Sequence, residues 1–426
     1  MRSLARLGLL FTAVLWLPSM ASADTTITGE KLGTFFKITV PDVWNGDLVI
    51  HNHGFDFAAP APIPAAGVQG FGPLGGRWLD EGYAVAASSY SNCCWTLFSS
   101  KKDVTRLIGV FEANFGLPNN VILAGPSLGA LITAQLVEAL SDGVDVNVSG
   151  AFPECGALAG SRNWDGAIDI RLVYDQICGA VPAPASLGGT CAIPGGATGL
   201  PAPGFPPGLP SSLIAGKAHT CMGVLAPPSA RTPAQAARLA QFSAVTTIPT
   251  GFVVTDMVFA TNGLSNLIFA ADKLGGGQGV GNVGVTYSDP AIDAAIQRVA
   301  EDFQAGKDLD RNYTPKGEVG AVKIVSLHTD GDGLAIVQNE KEYQDVVPAA
   351  NLTVAVVNEA GNSHCGFNGV ERIAAWEELR DWIAGGAQPT AQDIQDRCLS
   401  IAPIPTQCRI DPAFVISDMD TRVAPR

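Results

Sequence analysis

Hydrophobic positions along the chain fall into two rhythms. Short apolar runs of strand length recur at residues 33–40 (GTFFKITV), 47–51 (DLVIH), 83–89 (YAVAASS), 120–124 (NVILA), 144–152, 321–327 (AVKIVSL) and 352–357 (LTVAVV). Between them, apolar residues at helical spacing mark 104–115, 128–140, 338–346 and 370–383. Continuously apolar strands alternating with amphipathic helices predict the α/β class: a mostly parallel sheet covered on both faces.

The alternation breaks at residues 155–319, which are rich in Pro and Gly, above all at 181–210, with only loose helical patches. A long irregular stretch inside a compact domain is usually functional, and this one reads as a cap inserted into the α/β core. The expected division is therefore a core of 24–154 and 320–386, a cap of 155–319, and a C-terminal extension of 387–426. The first 23 residues form a separate unit. Arg2 and Arg6 precede the apolar run 7–17, and Ala21, Ser22 and Ala23 form a small-residue cleavage site. This predicts a secretory signal peptide, with a mature chain from about Asp24 that is secreted or periplasmic. An uncleaved anchor is the alternative, but the run is shorter than the ~20 residues a spanning helix needs. No later stretch looks apolar enough to cross a membrane, so no stable membrane anchor is expected.

Charge narrows the partners. The formal charge is −14, and no basic patch interleaves with aromatics, so nucleic acid is excluded as an expected partner. The nine cysteines of an exported chain read as disulfides rather than metal ligands. An odd number leaves at least one unpaired or paired between chains. Cys93 and Cys94 are adjacent and could each bond elsewhere; Cys398 and Cys408 could close a local loop. Gly279, Gly281 and Gly284 fit G-x-G-x-x-G, but no strand precedes them and no helix opens from them, so a dinucleotide site is not expected. Three N-x-S/T sequons begin at Asn147, Asn312 and Asn351.

Gly125, Pro126, Ser127, Leu128 and Gly129 form G-x-S-x-G between the apolar strand NVILA and an Ala/Leu-rich helix. In that strand–turn–helix setting a serine sits on a sharp turn with its hydroxyl exposed; the alternative is a Gly-rich turn with a capping serine. A nucleophilic serine needs a base. Of the five histidines (His51, His53, His219, His328 and His364), only His364 lies in a loop between the last strand and the last long helix. His51 and His53 read as strand-end histidines, a metal pair at that spacing having no nearby carboxylate. Two aspartates follow the strand 321–327: Asp330 close to its end, and Asp332 between Gly331 and Gly333, which permit a tight turn.

With these residues in order, the chain resembles the α/β-hydrolase superfamily from about Thr34 to Ile383, the insert aside. The resemblance implies an α/β-hydrolase fold with a large cap insertion and a triad of Ser127, His364 and Asp332, since similar sequences carry a Gly-Asp-Gly step that only Asp332 matches; Asp330 is the competitor. It implies an oxyanion hole made by the backbone N–H groups of Leu128 and Phe55. It further implies an exported serine hydrolase that cleaves carboxylic esters through an acyl-enzyme, with no cofactor or metal. Amides and lactones fit the same machinery, and a non-catalytic binding protein reusing the fold is the reading from another class. The apolar loop 55–71 beside the expected oxyanion hole suggests a small-molecule or polymeric ester with an apolar or bulky group. Cys365, directly after His364, is similar to the tannase and feruloyl esterase group, where that cysteine bonds one just before the nucleophile. Position 126 is proline here, which leaves Cys155, Cys93 and Cys94 as candidate partners.

Overall fold

A computed structural model of the chain describes residues 24–57, 59–64, 70–143, 146–194, 209–359, 361 and 363–426. The expected signal peptide lies outside the described residues, as do parts of the 55–71 loop, of the expected strand 144–152 and of the stretch 181–210.

Eight strands form one sheet in the order β1-β2-β4-β3-β5-β6-β7-β8. They are β1 (Thr25–Lys31), β2 (Thr34–Val40), β3 (Leu48–His51), β4 (Ala84–Ser88), β5 (Val121–Pro126), β6 (Val148–Glu154), β7 (Lys323–Thr329) and β8 (Leu352–Val357). β2 runs antiparallel to both β1 and β4, and all other neighbours are parallel. This is the sheet of the α/β-hydrolase fold.

The apolar runs work because a strand turns alternate side chains to opposite faces. Leu48, Ile50, Val121 and Leu123 enter one core with the helices Leu97–Phe115 and Leu128–Leu140. Val49, Ile122 and Ala124 enter the other, against Trp78, Trp376 and Leu379 of the helices Gly75–Asp80 and Gly369–Ile383. Strands buried on both faces must be apolar throughout, and that is the signal the sequence carried. β1 (TTITGEK) had no such signal. It is a largely exposed edge strand, joined to β2 through Leu32 (φ 52°) and Gly33 (φ 81°), a two-residue turn with both φ positive that suits a hairpin.

Between β6 and β7 the chain is helical, with Arg162–Cys178, Ser211–Met222, Pro233–Thr246 and Phe303–Tyr313 as the longest helices outside residues 250–269. Residues 250–269 form one composite helix with a π-helical turn at Phe259–Gly263. Contrary to the sequence reading, this helix is long and apolar enough to cross a membrane by length and composition. Most of it is buried in the protein, which is the reason for its apolar character: Val253, Met257, Ala260, Leu264 and Leu267 belong to the same core as the sheet.

Four disulfides are present: Cys155–Cys365, Cys178–Cys221, Cys398–Cys408 and Cys93–Cys94. Cys93 and Cys94 therefore bond each other rather than separate partners, and Cys191 is the buried free thiol. Covalent pairing on this scale fits an oxidising compartment. The G-x-G-x-x-G segment is a loop held by Asn282, which bonds Tyr287, Val299 and the carbonyl of Gln297.

Candidate active site

Ser127 occupies the sharp turn between β5 and the helix Leu128–Leu140, at φ 58° and ψ −124°. A non-glycine residue at positive φ is uncommon, and strained positions of this kind gather at functional sites. The flanking glycines are required by proximity: a Cβ on Gly125 or Gly129 would fall 2.2 or 2.0 Å from the carbonyl oxygen of Asn52. The Ser127 N–H donates to the carbonyl of Glu154 at the end of β6 (2.8 Å), which anchors the turn to the sheet.

His364 comes to this hydroxyl from 237 residues away, its Nε2 2.8 Å from Ser127 Oγ. Its Nδ1 lies 2.7 Å from Asp332 Oδ2. Asp332 is buried, but its carboxylate is well supplied with donors. Oδ1 accepts from the N–H groups of Leu334 (3.0 Å) and Ala335 (3.1 Å), and Oδ2 also accepts from Cys365 (3.2 Å). Asp330 faces elsewhere and accepts the N–H of Glu359 (2.7 Å), so it braces the histidine loop without reaching the imidazole. Glu359, which sequence reasoning missed, continues that brace by accepting from Gly361 (3.1 Å) and Ser363 (2.7 Å). The disulfide Cys155–Cys365 then ties the residue after His364 to the residue after β6.

The other histidines are brought elsewhere. His51 is buried against Trp78, and burial pushes its pKa down to about 3. His53 packs on Tyr90 with rings 4.3 Å apart, and burial lowers its pKa too. His328 is fully buried, its Nδ1 accepting the N–H of Thr329 (2.9 Å). His219 takes the N–H of Leu225 (3.3 Å). Asp332, His364 and Cys365 are close enough together to suggest a metal triad, but Cys365 is in a disulfide and has no thiolate to give.

The main chain after β3 passes beside the serine. A Cβ on Gly54 would lie 3.4 Å from Ser127 Cβ and 3.9 Å from Oγ. Tyr90 steadies this loop by donating its hydroxyl to the His53 carbonyl (3.2 Å). Phe55 follows, stacked edge-on against Phe259 of the composite helix at 4.8 Å. Leu128 is the first residue of its helix, so its N–H has no acceptor within the helix, and the N-terminus favours negative charge.

A cavity of about 350 Å³ opens from Ser127, Phe55 and Leu128. Its walls come from the helical insert (Trp164, Val173, Ile248) and from the chain's last residues, including Met419 and Val423. No motif marked those tail residues, because they acquire a role only by being packed there. A hydroxyl, imidazole and carboxylate in line, opening on a cavity with largely apolar walls, can shift a proton off the hydroxyl.

No family model and no curated protein matches the chain. Among solved structures it is similar to Candida antarctica lipase A, at 11 % identity over 86 % of this chain and 82 % of that one, with a TM-score of 0.43. It is similar to feruloyl esterase B from Aspergillus oryzae, at 12 % identity over 89 % and 85 % of the two chains (TM-score 0.44). A rice-cell-wall-degrading esterase from Xanthomonas oryzae is similar at 13 % identity over 83 % of each chain (TM-score 0.36).

Proposed function

We propose that the protein is an exported serine hydrolase that cleaves carboxylic esters through an acyl-enzyme. The observation that carries this reading is the unbroken chain Asp332–His364–Ser127, with separations of 2.7 and 2.8 Å. His364 Nε2 takes the Ser127 proton as Oγ attacks the ester carbonyl. Asp332 holds the imidazole in the tautomer with the proton on Nδ1 and stabilises the imidazolium. The backbone N–H groups of Leu128 and Phe55 receive the oxyanion. His364 then returns its proton to the leaving alcohol, and water, activated by the same base, releases the acid. In this reading residues 155–319 form the cap, and export follows from the signal-like N-terminus together with the disulfides.

A fluorophosphonate probe should label wild type at Ser127 and leave Ser127→Ala unlabelled. That variant should keep its melting temperature and lose ester hydrolysis by several orders of magnitude. Near-normal turnover in the folded variant would overturn the mechanism. Matched p-nitrophenyl esters and p-nitroanilides separate esterase from amidase chemistry.

A further inference from the structure

Three arginines hold the chain's last residues against the helical insert, and of these Arg422 lines the cavity. Arg162 is paired with Glu342 (3.0 Å) and Asp420 (2.6 Å). Arg426 is paired with Asp165 (3.2 Å) and Asp169 (2.9 Å). Arg422 has no ion-pair partner among the described residues. Its Nε and Nη2 donate to Oγ1 (2.6 Å) and the carbonyl (3.1 Å) of Thr247, both of them neutral acceptors.

Arg422, Asp256 and Ser127 line the same cavity. Asp256 is the carboxyl whose charge would act on Arg422. It is buried, and one of its oxygens has no hydrogen-bond partner. Burial holds its pKa well above the ordinary carboxyl value, with Asp332 adding to the effect. Burial therefore disfavours the charged form of Asp256, and the groups that Arg422 is hydrogen-bonded to are the neutral oxygens of Thr247. Arg422 is thus a guanidinium on the cavity wall with no carboxylate in ion-pair contact among the described residues, in a chain of formal charge −14. A guanidinium presents a planar fork that matches a carboxylate. Apolar side chains, among them Ile170, Val173, Val245 and Ile248, line the same cavity.

We propose that the cavity takes esters whose chain ends in a carboxylate, with the ester carbonyl at Ser127, an apolar spacer along the wall and Arg422 as the counter-charge. The orientation rests on the reading of Ser127 as nucleophile; the anion site does not.

The test compares monomethyl suberate with its neutral counterpart dimethyl suberate, by calorimetry on the Ser127→Ala protein. The monoanion should bind more tightly by roughly 10- to 100-fold, the range of a charge-assisted contact, and less so as salt is added. Arg422→Gln in the same background should bring the ratio close to one, and Arg422→Lys should restore part of it. The proposal is overturned if the diester binds as well as the monoanion with Arg422 intact, or if the ratio survives Arg422→Gln. It is also overturned if monomethyl adipate, suberate and sebacate all fail to bind. Fluorophosphonate labelling of Ser127 in the Arg422→Gln protein tests the nucleophile independently of the anion site.

Discussion

Asp330 and Asp332 are two residues apart on one loop, yet only Asp332 reaches His364, while Asp330 is occupied by the Glu359 N–H. Asp332→Asn should therefore lower turnover by about 10⁴-fold, because an amide in that place favours the wrong imidazole tautomer. Asp330→Asn keeps an oxygen able to accept the Glu359 N–H and should cost far less; steady-state kinetics on the two variants side by side check this. His51 offers a prediction of a different kind. Its pKa is pushed from 6.5 down to about 3 by burial first and by His53 second. The folded state keeps it neutral while the unfolded chain protonates it below pH 6.5. Its contribution to stability is thus present above that pH and is lost as pH falls toward 3, at about 1.4 kcal/mol per unit. His51→Gln should narrow the difference in melting temperature between neutral pH and about pH 5; an unchanged difference would contradict the assignment.

The elements were legible to the extent that burial imposed a pattern on them. β5 lacks polar side chains because it is buried on both faces, and β8 breaks its apolar run only at Thr353, whose hydroxyl bonds the Pro389 carbonyl; the helices Leu128–Leu140 and Gln338–Val346 have the bounds their spacing predicts. β1 was missed because an exposed edge strand has no face to bury. Elements also cooperate through the disulfide Cys155–Cys365, which joins β6 to the histidine loop across 210 residues. Replacing both cysteines by serine should cost about 2–5 kcal/mol of stability. Under the proposed mechanism turnover should fall as well, since Cys365 adjoins His364 and its N–H supports Asp332. Thermal unfolding and kcat on the double variant measure the two effects separately; a stable variant with normal kcat would show the bridge to be dispensable.

At the scale of the whole molecule, the chain's last residues lock onto the helical insert through Arg426, which binds Asp165 and Asp169. Burial pushes Asp165 up from 3.8 to about 6 even with the arginine present. An acid with a raised folded pKa opposes folding increasingly as pH rises from its unfolded value to its folded one. Arg426→Ala removes the counter-charge, so the variant's loss of melting temperature relative to wild type should be larger at pH 8 than at about pH 5. An equal loss at both would mean the contact acts by packing alone. The sequence by itself determined the alternation of strand and helix and the glycine-flanked turn at Ser127, each a local demand of burial periodicity or of backbone room written in neighbouring residues. His364 was marked by its place in chain order, and Asp332 was preferred to Asp330 through the family resemblance. Only the tertiary structure decided that Cys155 bonds Cys365, that the composite helix 250–269 is buried in the protein, and that Asp256 and Arg422 share a cavity with Ser127. Those outcomes depend on which distant surfaces meet, and the residues involved carry no local requirement that a reader of the chain could recognise.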